Sequence, residues 1–325
     1  VFKSSLVSDA ISSAISDSAD VARTLHRPFP TGFRPLDGYL ADGLRPRELV
    51  LLAGRQGTGK TTFAMQVARS VALDGRPVVV ASFEHDEQAI VERFVAMELA
   101  SRGHGASFPA RHVVERMRRR HAEIWHDVET WQEALDEVSE WGARVRLIGP
   151  SVDSPSVTLE ELGAVVREST ITFGMAPLVV VDYLQKFVTP GETDDVRSGR
   201  VAVALKELAM GSGAAVLAIT AADRDGLVAG RRLRIHHLRG AAVLAYEADV
   251  VLVFNDKYDV VARQHLVYDA SNAARMHDVV VVSIEKNRGG LDNIDLEFYK
   301  QFESNRFDPE GAVVREQLVD DRLYD

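Results

Sequence analysis

Short apolar runs alternate along this 325-residue chain with longer stretches in which apolar residues recur every three or four positions. The runs predict strands at 48–53, 77–83, 144–148, 177–182, 214–220, 248–254, 279–285 and 293–299. Leu178-Val179-Val180-Val181 and Val250-Val251-Leu252-Val253 show no polar alternation, which suits strands covered on both faces. Helical spacing occupies 60–73, 86–101, 111–121, 127–141, 158–173 and 197–211. Such alternation predicts an α/β core: a mainly parallel, twisted sheet with helices on both faces. The last strands follow one another without helices between them, so an antiparallel extension is expected at the C-terminal end. Residues 255–277 carry polar turn signals and are expected to form an exposed hairpin or loop. Residues 189–195, with a Pro-Gly pair and several acids, read as a mobile loop.

Ahead of this pattern, Val7, Ile11, Ile15, Ala19, Ala22 and Leu25 draw one narrow apolar stripe on a helix over 4–26, which Pro28 and Pro30 end. Two burial partners are open to that stripe, its own core or a neighbouring subunit. The expected organisation is an N-terminal helix and connector over 1–30, one α/β domain over 31–310, and a C-terminal tail over 311–325.

The most informative chemistry lies between the first strand and the helix that follows it. Gly54-Arg55-Gln56-Gly57-Thr58-Gly59-Lys60-Thr61 fills every fixed position of the phosphate-binding pattern Gly-x4-Gly-Lys-Thr. Strand, glycine loop and helix is the context in which backbone N–H groups and a helix N-terminus surround a polyphosphate. Gly54, Gly57 and Gly59 permit close backbone approach, and Gln56, Thr58 and Thr62 complete the expected cradle. Lys60 is placed to reach the β- and γ-phosphates of ATP, and the Thr61 hydroxyl to ligate Mg²⁺. Asp182 ends an apolar strand, the usual form of the second nucleotide motif, where an acid helps hold the metal. Glu84 ends another strand and is the candidate base for the attacking water.

Charge and composition narrow the class. With 38 Lys+Arg against 48 Asp+Glu the chain is no general polyanion binder, so nucleic-acid contact needs a local patch or an assembled channel. The absence of cysteine excludes disulfides and thiolate zinc sites. The ten histidines are scattered, and both His85 beside Asp86 and the His236-His237 pair read as solvated loop residues. No apolar run is long enough to span a bilayer, and a soluble cytoplasmic protein is expected. Arg116, Arg118, Arg119, Arg120 and His121 form a basic run that reads as a solvated helix face, with nucleic-acid tracking as the sharper reading. Trp125, Trp131 and Trp141 are expected to be packing residues.

Several stretches together resemble the C-terminal motor domain of DnaB-type replicative helicases, a branch of the RecA-like ATPases. They are Thr31-Gly32-Phe33-Arg34-Pro35-Leu36-Asp37, the phosphate loop, Ser82-Phe83-Glu84 and Val181-Asp182-Tyr183-Leu184-Gln185. Further along come Leu205-Lys206-Glu207-Leu208-Ala209, Glu247-Ala248-Asp249-Val250-Val251-Leu252 and Glu285-Lys286-Asn287-Arg288-Gly289-Gly290. The resemblance implies a RecA-like fold, Glu84 as catalytic base, Asp182 as second-strand acid, and Lys286 with Arg288 reaching into the adjacent subunit's ATP site. It also implies a homo-oligomer, a hexameric ring or open helix, that moves along single-stranded DNA. Its linker helix would correspond to the N-terminal stripe.

Two stretches depart from the family pattern. Thr220-Ala221-Ala222-Asp223-Arg224 stands where the family has Ser-Gln-Leu-x-Arg, so Ala221 replaces a glutamine that senses the γ-phosphate. His237-Leu238-Arg239-Gly240-Ala241-Ala242 stands where the DNA loop reads Asp-Leu-Arg-Glu-Ser-Gly, leaving Arg239 and Gly240 as the candidate DNA-backbone contacts. These changes keep two other readings open. One is an ATPase that assembles as a scaffold or switch without unwinding DNA; the other is a recombinase- or KaiC-like protein in which nucleotide controls assembly.

Overall fold

The computed structural model describes Val7 and residues 26–118, 127–150, 156–187, 193–223, 225–228, 230–267 and 270–322. The rest of the expected N-terminal stripe, Trp125, Arg119, Arg120, His121, Arg224 and most of the 189–195 loop lie outside the described residues. Ten strands form one sheet in the order β10-β8-β7-β6-β1-β5-β4-β2-β3, with β9 paired to β8. In chain order they are β1 (Leu49–Gly54), β2 (Val78–Ser82), β3 (Val145–Ile148), β4 (Leu178–Asp182), β5 (Ala215–Thr220) and β6 (Val250–Asp256). Then follow β7 (Val279–Asn287), β8 (Ile294–Gln301), β9 (Arg306–Phe307) and β10 (Ala312–Val313). From β3 to β6 the neighbours are parallel, whereas β7, β8 and β10 add on antiparallel, as the missing helices between them require.

Among the described residues the helices from Arg34 onward are α1 (Arg34–Tyr39), α2 (Lys60–Leu73), α3 (Glu87–Ser101), α4 (Ala110–Arg118), α5 (Val128–Gly142), α6 (Leu159–Phe173) and α7 (Asp194–Ser212). Four short ones follow: α8 (Ala241–Glu247), α9 (Lys257–Val260), α10 (Arg263–Val267) and α11 (Ala270–Met276). Every residue of β1 is buried because alternate side chains feed two cores. Val50 and Leu52 face α2 and its Phe63 and Val67, while Leu49 and Leu51 face the core that Leu162 of α6 and Leu205 of α7 share. A smaller cluster joins α3, α4 and α5 around Phe108 and Trp131. Trp131 and Trp141 are packing residues, Trp141 edge-on to Phe94 at 5.0 Å between centroids.

Residues 255–277 do not form an exposed hairpin. They hold the end of β6 and α9 to α11, with Val260, Val261 and Met276 buried. C-terminal residues lie along this segment through Ala262 N–H to Gln317 O (2.9 Å) and Val319 N–H to Val260 O (2.8 Å). Polar turn residues mask that short apolar run, whose burial partner comes from the distant C-terminal segment. The strands β9 and β10, two residues each, are too short to leave a periodic signal.

An aromatic cluster seats the glycine loop. Phe33 stacks on Phe63 of α2 at 4.3 Å, and Phe254, Phe298 and Phe307 pack edge-on around them. Gly59 caps α2 at φ +91°, and a Cβ there would meet the Phe302 ring at 2.6 Å and overlap Phe307. Gly59→Ala is therefore expected to cost about 1–3 kcal/mol of stability, through backbone strain and overpacking, measured as a lowered urea midpoint. An unchanged midpoint would show that the loop does not lean on these rings.

Candidate active site

The sheet order sets the site. With β5 between β1 and β4, and β2 beyond β4, the C-terminal strand ends bring the glycine loop, Ala221, Asp182 and Glu84 around one cleft of ≈ 600 Å³. A crevice outside the carboxyl ends of parallel strands is where open α/β sheets bind ligands. Gly54, Gln56, Gly57, Gly59, Lys60, Thr61 and Thr62 line it. Thr58 is buried behind the loop, its Oγ1 donating to Arg55 O at 2.8 Å. Lys60 Nζ donates to the same carbonyl at 2.7 Å, and Thr61 Oγ1 donates to Asp182 Oδ2 at 2.8 Å across the cleft floor.

Burial makes these groups costly as ions. Desolvation pushes the Asp182 carboxyl above its ordinary value, opposed by the Thr61 hydrogen bond and reinforced by the nearby Glu84 charge. Desolvation likewise pulls the Lys60 ammonium down, offset by Asp182, Glu84 and Asp256. A polyphosphate would match Lys60 and a hard divalent cation would match Asp182, so the donor set fits both. Glu84, His85 and Asp182 present ligand atoms that all lie within 4.8 Å of one another, and could hold such a cation with the Thr61 hydroxyl close by.

Asp182 yields a prediction with a definite sign. A carboxyl whose folded pKa is raised contributes stability below its unfolded value and loses it as pH rises through the folded value. At neutral pH its charge is a burden on the protein alone. Asp182→Asn is thus expected to melt at a higher temperature than wild type in EDTA, while losing Mg²⁺-dependent hydrolysis. A lower melting temperature for that variant would contradict this electrostatic account.

His85 is not the solvated loop residue its sequence neighbours suggest. Half-buried at the cleft, its ring Nε2 lies 3.2 Å from Arg93 Nη2, while Arg93 Nη1 also donates to Asn305 Oδ1 at 3.4 Å. Burial, then the Arg93 charge, pulls the His85 imidazole down, which favours its neutral form. Arg93 on α3 lines the same cleft, and nothing in its local sequence distinguishes it from a surface arginine. In the sequence Gln185 stands out only as part of a motif, yet its Nε2 donates to Thr220 Oγ1 at 2.9 Å and its Oε1 accepts from Ala221 N–H at 3.3 Å. Arg55 fills a variable position of the phosphate-binding pattern, but its guanidinium donates to Gly226 O, Val228 O and Arg231 O.

Lys286 and Arg288 lie at the opposite end of the sheet. Gly54 pairs with Phe254 at the loop end of β6, whereas Lys286 and Asn287 pair with Val251 and Val250 at its start. Three to four residues of strand separate these ends, roughly 10–13 Å, and both side chains are held at the end away from the glycine loop. Lys286 Nζ donates to Ala245 O at 2.6 Å and Ala248 O at 2.5 Å, and burial, then Arg288, pulls its ammonium down. Arg288 Nη1 donates to Asp249 Oδ1 at 3.1 Å and Nη2 to Tyr246 O.

Arg239 lines the same cleft, its Nε donating to Ala222 O at 3.2 Å, and Gly240 caps α8. The described part of the basic run is used internally, as Arg116 lies over the Trp131 ring at 4.3 Å and Arg118 pairs with the buried Glu92 at 2.8 Å. Among the described residues, no helix is long and apolar enough to cross a membrane.

Comparison with known proteins agrees with this geometry. The family model for the DnaB-like helicase C terminal domain matches residues 29–308. The replicative DNA helicase DnaB of Haemophilus influenzae is 25% identical over 283 residues, which cover 86% of this chain and 54% of that protein. DnaB of Pasteurella multocida is 28% identical over 291 residues, again 86% of this chain and 54% of the relative. The chain thus spans about half the length of these curated relatives. A solved DnaB-like replicative helicase, studied with its interactions with primase, aligns at TM-score 0.72 and 19% identity, covering 93% of this chain and 68% of that one. That likeness carries the fold alone, a RecA-like α/β architecture of mainly parallel strands with an antiparallel C-terminal extension. With most of its length matched, the chain belongs to the DnaB-like helicase C-terminal domain family.

Proposed function

We propose that the chain is an ATP-hydrolysing motor domain that self-assembles, completes each active centre across a subunit boundary, and works on single-stranded DNA. The observation that carries this reading is the split of the charged machinery between the two ends of one sheet. Lys60, Thr61, Asp182 and Glu84 surround the cleft, while Lys286 and Arg288 are held at the end away from the glycine loop. In this reading a second copy brings the two ends together.

In this mechanism the glycine-loop amides and Lys60 bind the triphosphate, and Lys60 exchanges Arg55 O for phosphate oxygens. Thr61 and Asp182 would hold Mg²⁺, with Glu84 and His85 within reach of the same position. A cation held by these residues would supply charge neutralisation to the phosphate oxygens. Glu84 accepts the proton of the attacking water, its exposed carboxylate being free to turn towards the phosphate end. The neighbour's Lys286 and Arg288 supply the positive charge that is needed only as the terminal phosphoryl group leaves.

The experiment is ATP turnover against protein concentration, with and without single-stranded DNA, at two salt concentrations. Specific activity is expected to rise steeply with concentration and to be stimulated by DNA, with the stimulation lost at high salt. Concentration-independent turnover would remove the shared centre. Turnover that depends on assembly but ignores DNA would select the scaffold reading. That second reading draws on Ala221, whose methyl offers no hydrogen bond, and on Arg239, which faces the cleft.

A further inference from the structure

We infer that Arg239 binds the terminal phosphate of the nucleotide held by its own subunit, and that α8 relays its position to Lys286 and Arg288. The inference rests on reading the cleft as an ATP site.

Three contacts fasten the Arg239 loop to the segment leaving β5. Arg239 N–H donates to Ala221 O at 3.4 Å, Arg239 Nε to Ala222 O at 3.2 Å, and Asp223 N–H to His237 O at 2.8 Å. Ala222 and Leu238 form an antiparallel bridge in the same place. Because β5 runs between β1 and β4, its exit lies between Lys60 and Asp182, beside the expected phosphate chain. Ala221 brings a methyl group to that wall, and its N–H is engaged by Gln185. The cationic chemistry of this wall therefore falls to Arg239, whose planar guanidinium suits phosphate oxygens.

The same arginine stands at the head of α8. That helix is seven residues long, about 10 Å, and its far end is gripped by the two side chains assigned to the neighbouring site. Lys286 holds Ala245 O and Ala248 O, and Arg288 holds Tyr246 O. In this proposal α8 shifts as a unit. When Arg239 follows the terminal phosphate, the carbonyls that hold Lys286 and Arg288 move with it. The nucleotide state of one centre thereby sets how readily its subunit supplies charge to the next.

The test is calorimetric titration of ATPγS and of ADP into wild type, Lys60→Ala, Arg239→Ala and Arg239→Lys. Arg239→Ala is expected to weaken ATPγS about tenfold or more while leaving ADP within about twofold, with Arg239→Lys between it and wild type. Failure of wild type to bind either nucleotide, or indifference to Lys60→Ala, would overturn the ATP-site reading itself. If Lys60→Ala loses binding but Arg239→Ala matches wild type, or loses both nucleotides equally, the ATP site stands and this assignment of Arg239 falls. Lost affinity for single-stranded DNA with unchanged nucleotide preference would also overturn it, placing Arg239 on DNA. Hydrogen exchange at 286–290 is expected to differ between ATPγS- and ADP-loaded wild type and to match in Arg239→Ala. Equal exchange in wild type would overturn the relay.

Discussion

An Arg288→Ala variant is expected to turn over ATP about 10³- to 10⁵-fold more slowly than wild type, with nucleotide affinity nearly unchanged. The magnitude is that of a cation delivered in trans to the leaving phosphoryl group, felt in the transition state and little in the ground state. The substitution is also structurally mild. Its partner Asp249 is buried, and an unpaired charge there would be expensive. Asp249 nevertheless keeps Lys206 Nζ at 2.6 Å and Leu49 N–H at 2.8 Å, so it stays compensated when the guanidinium is removed. Loss of turnover would then report chemistry and not unfolding, which a melting curve can check.

Mixing separates the shared centre from a local role. Arg288→Ala and Lys60→Ala proteins are each expected to be inactive alone, because one lacks the donated charge and the other the phosphate grip. Combined in one assembly, a Lys60→Ala subunit can donate Arg288 to an intact glycine loop next door, so activity should return at such boundaries. Full activity of Arg288→Ala alone, or no recovery on mixing when co-assembly is demonstrated, would remove the trans assignment.

Replacing Glu84 by glutamine is expected to lower turnover about 10²- to 10⁴-fold, with ATP and Mg²⁺ still bound. Glutamine keeps the shape of the side chain and loses only the ability to take a proton. The floor of the site is untouched by this change, since Thr61 and Asp182 remain hydrogen-bonded at 2.8 Å and Phe83 N–H still ties the β2 exit to Asp182 O at 2.9 Å. Single-turnover kinetics would place the loss in the chemical step. A variant that hydrolyses normally would demote Glu84 to a cleft-wall residue and leave His85 and Arg93 to be tested in its place. The two variants also differ in mixtures: Glu84→Gln stays inactive when combined with Lys60→Ala, because both defects lie on the same side of the boundary.

The core is legible residue by residue in the chain. The run Leu178-Val179-Val180-Val181, buried on both faces, and the helical spacing of α2 through Phe63, Val67 and Val71 record burial directly. Glycine, lysine and threonine at fixed spacing locate the phosphate cradle, because its chemistry is local: one loop, one helix N-terminus, one hydroxyl. Acids at the ends of apolar runs point to Asp182, the last residue of β4, and to Glu84, two residues beyond the end of β2.

What the tertiary structure decided is everything that depends on which strand lies beside which. Only the order β1-β5-β4-β2 brings Glu84, His85, Asp182 and Arg93 to a single cleft. The sequence of the Arg239 loop suggests DNA, whereas only the fold shows that its bridge to the β5 exit sets Arg239 in the lining of the cleft that holds Lys60 and Asp182. The antiparallel pairing of β6 with β7 carries Lys286 and Arg288 to the far end of the sheet. Periodicity along a chain encodes whether a side chain is buried, since burial repeats with the local backbone geometry. It carries no comparable record of the partner, because pairing joins segments whose separation leaves no periodic trace.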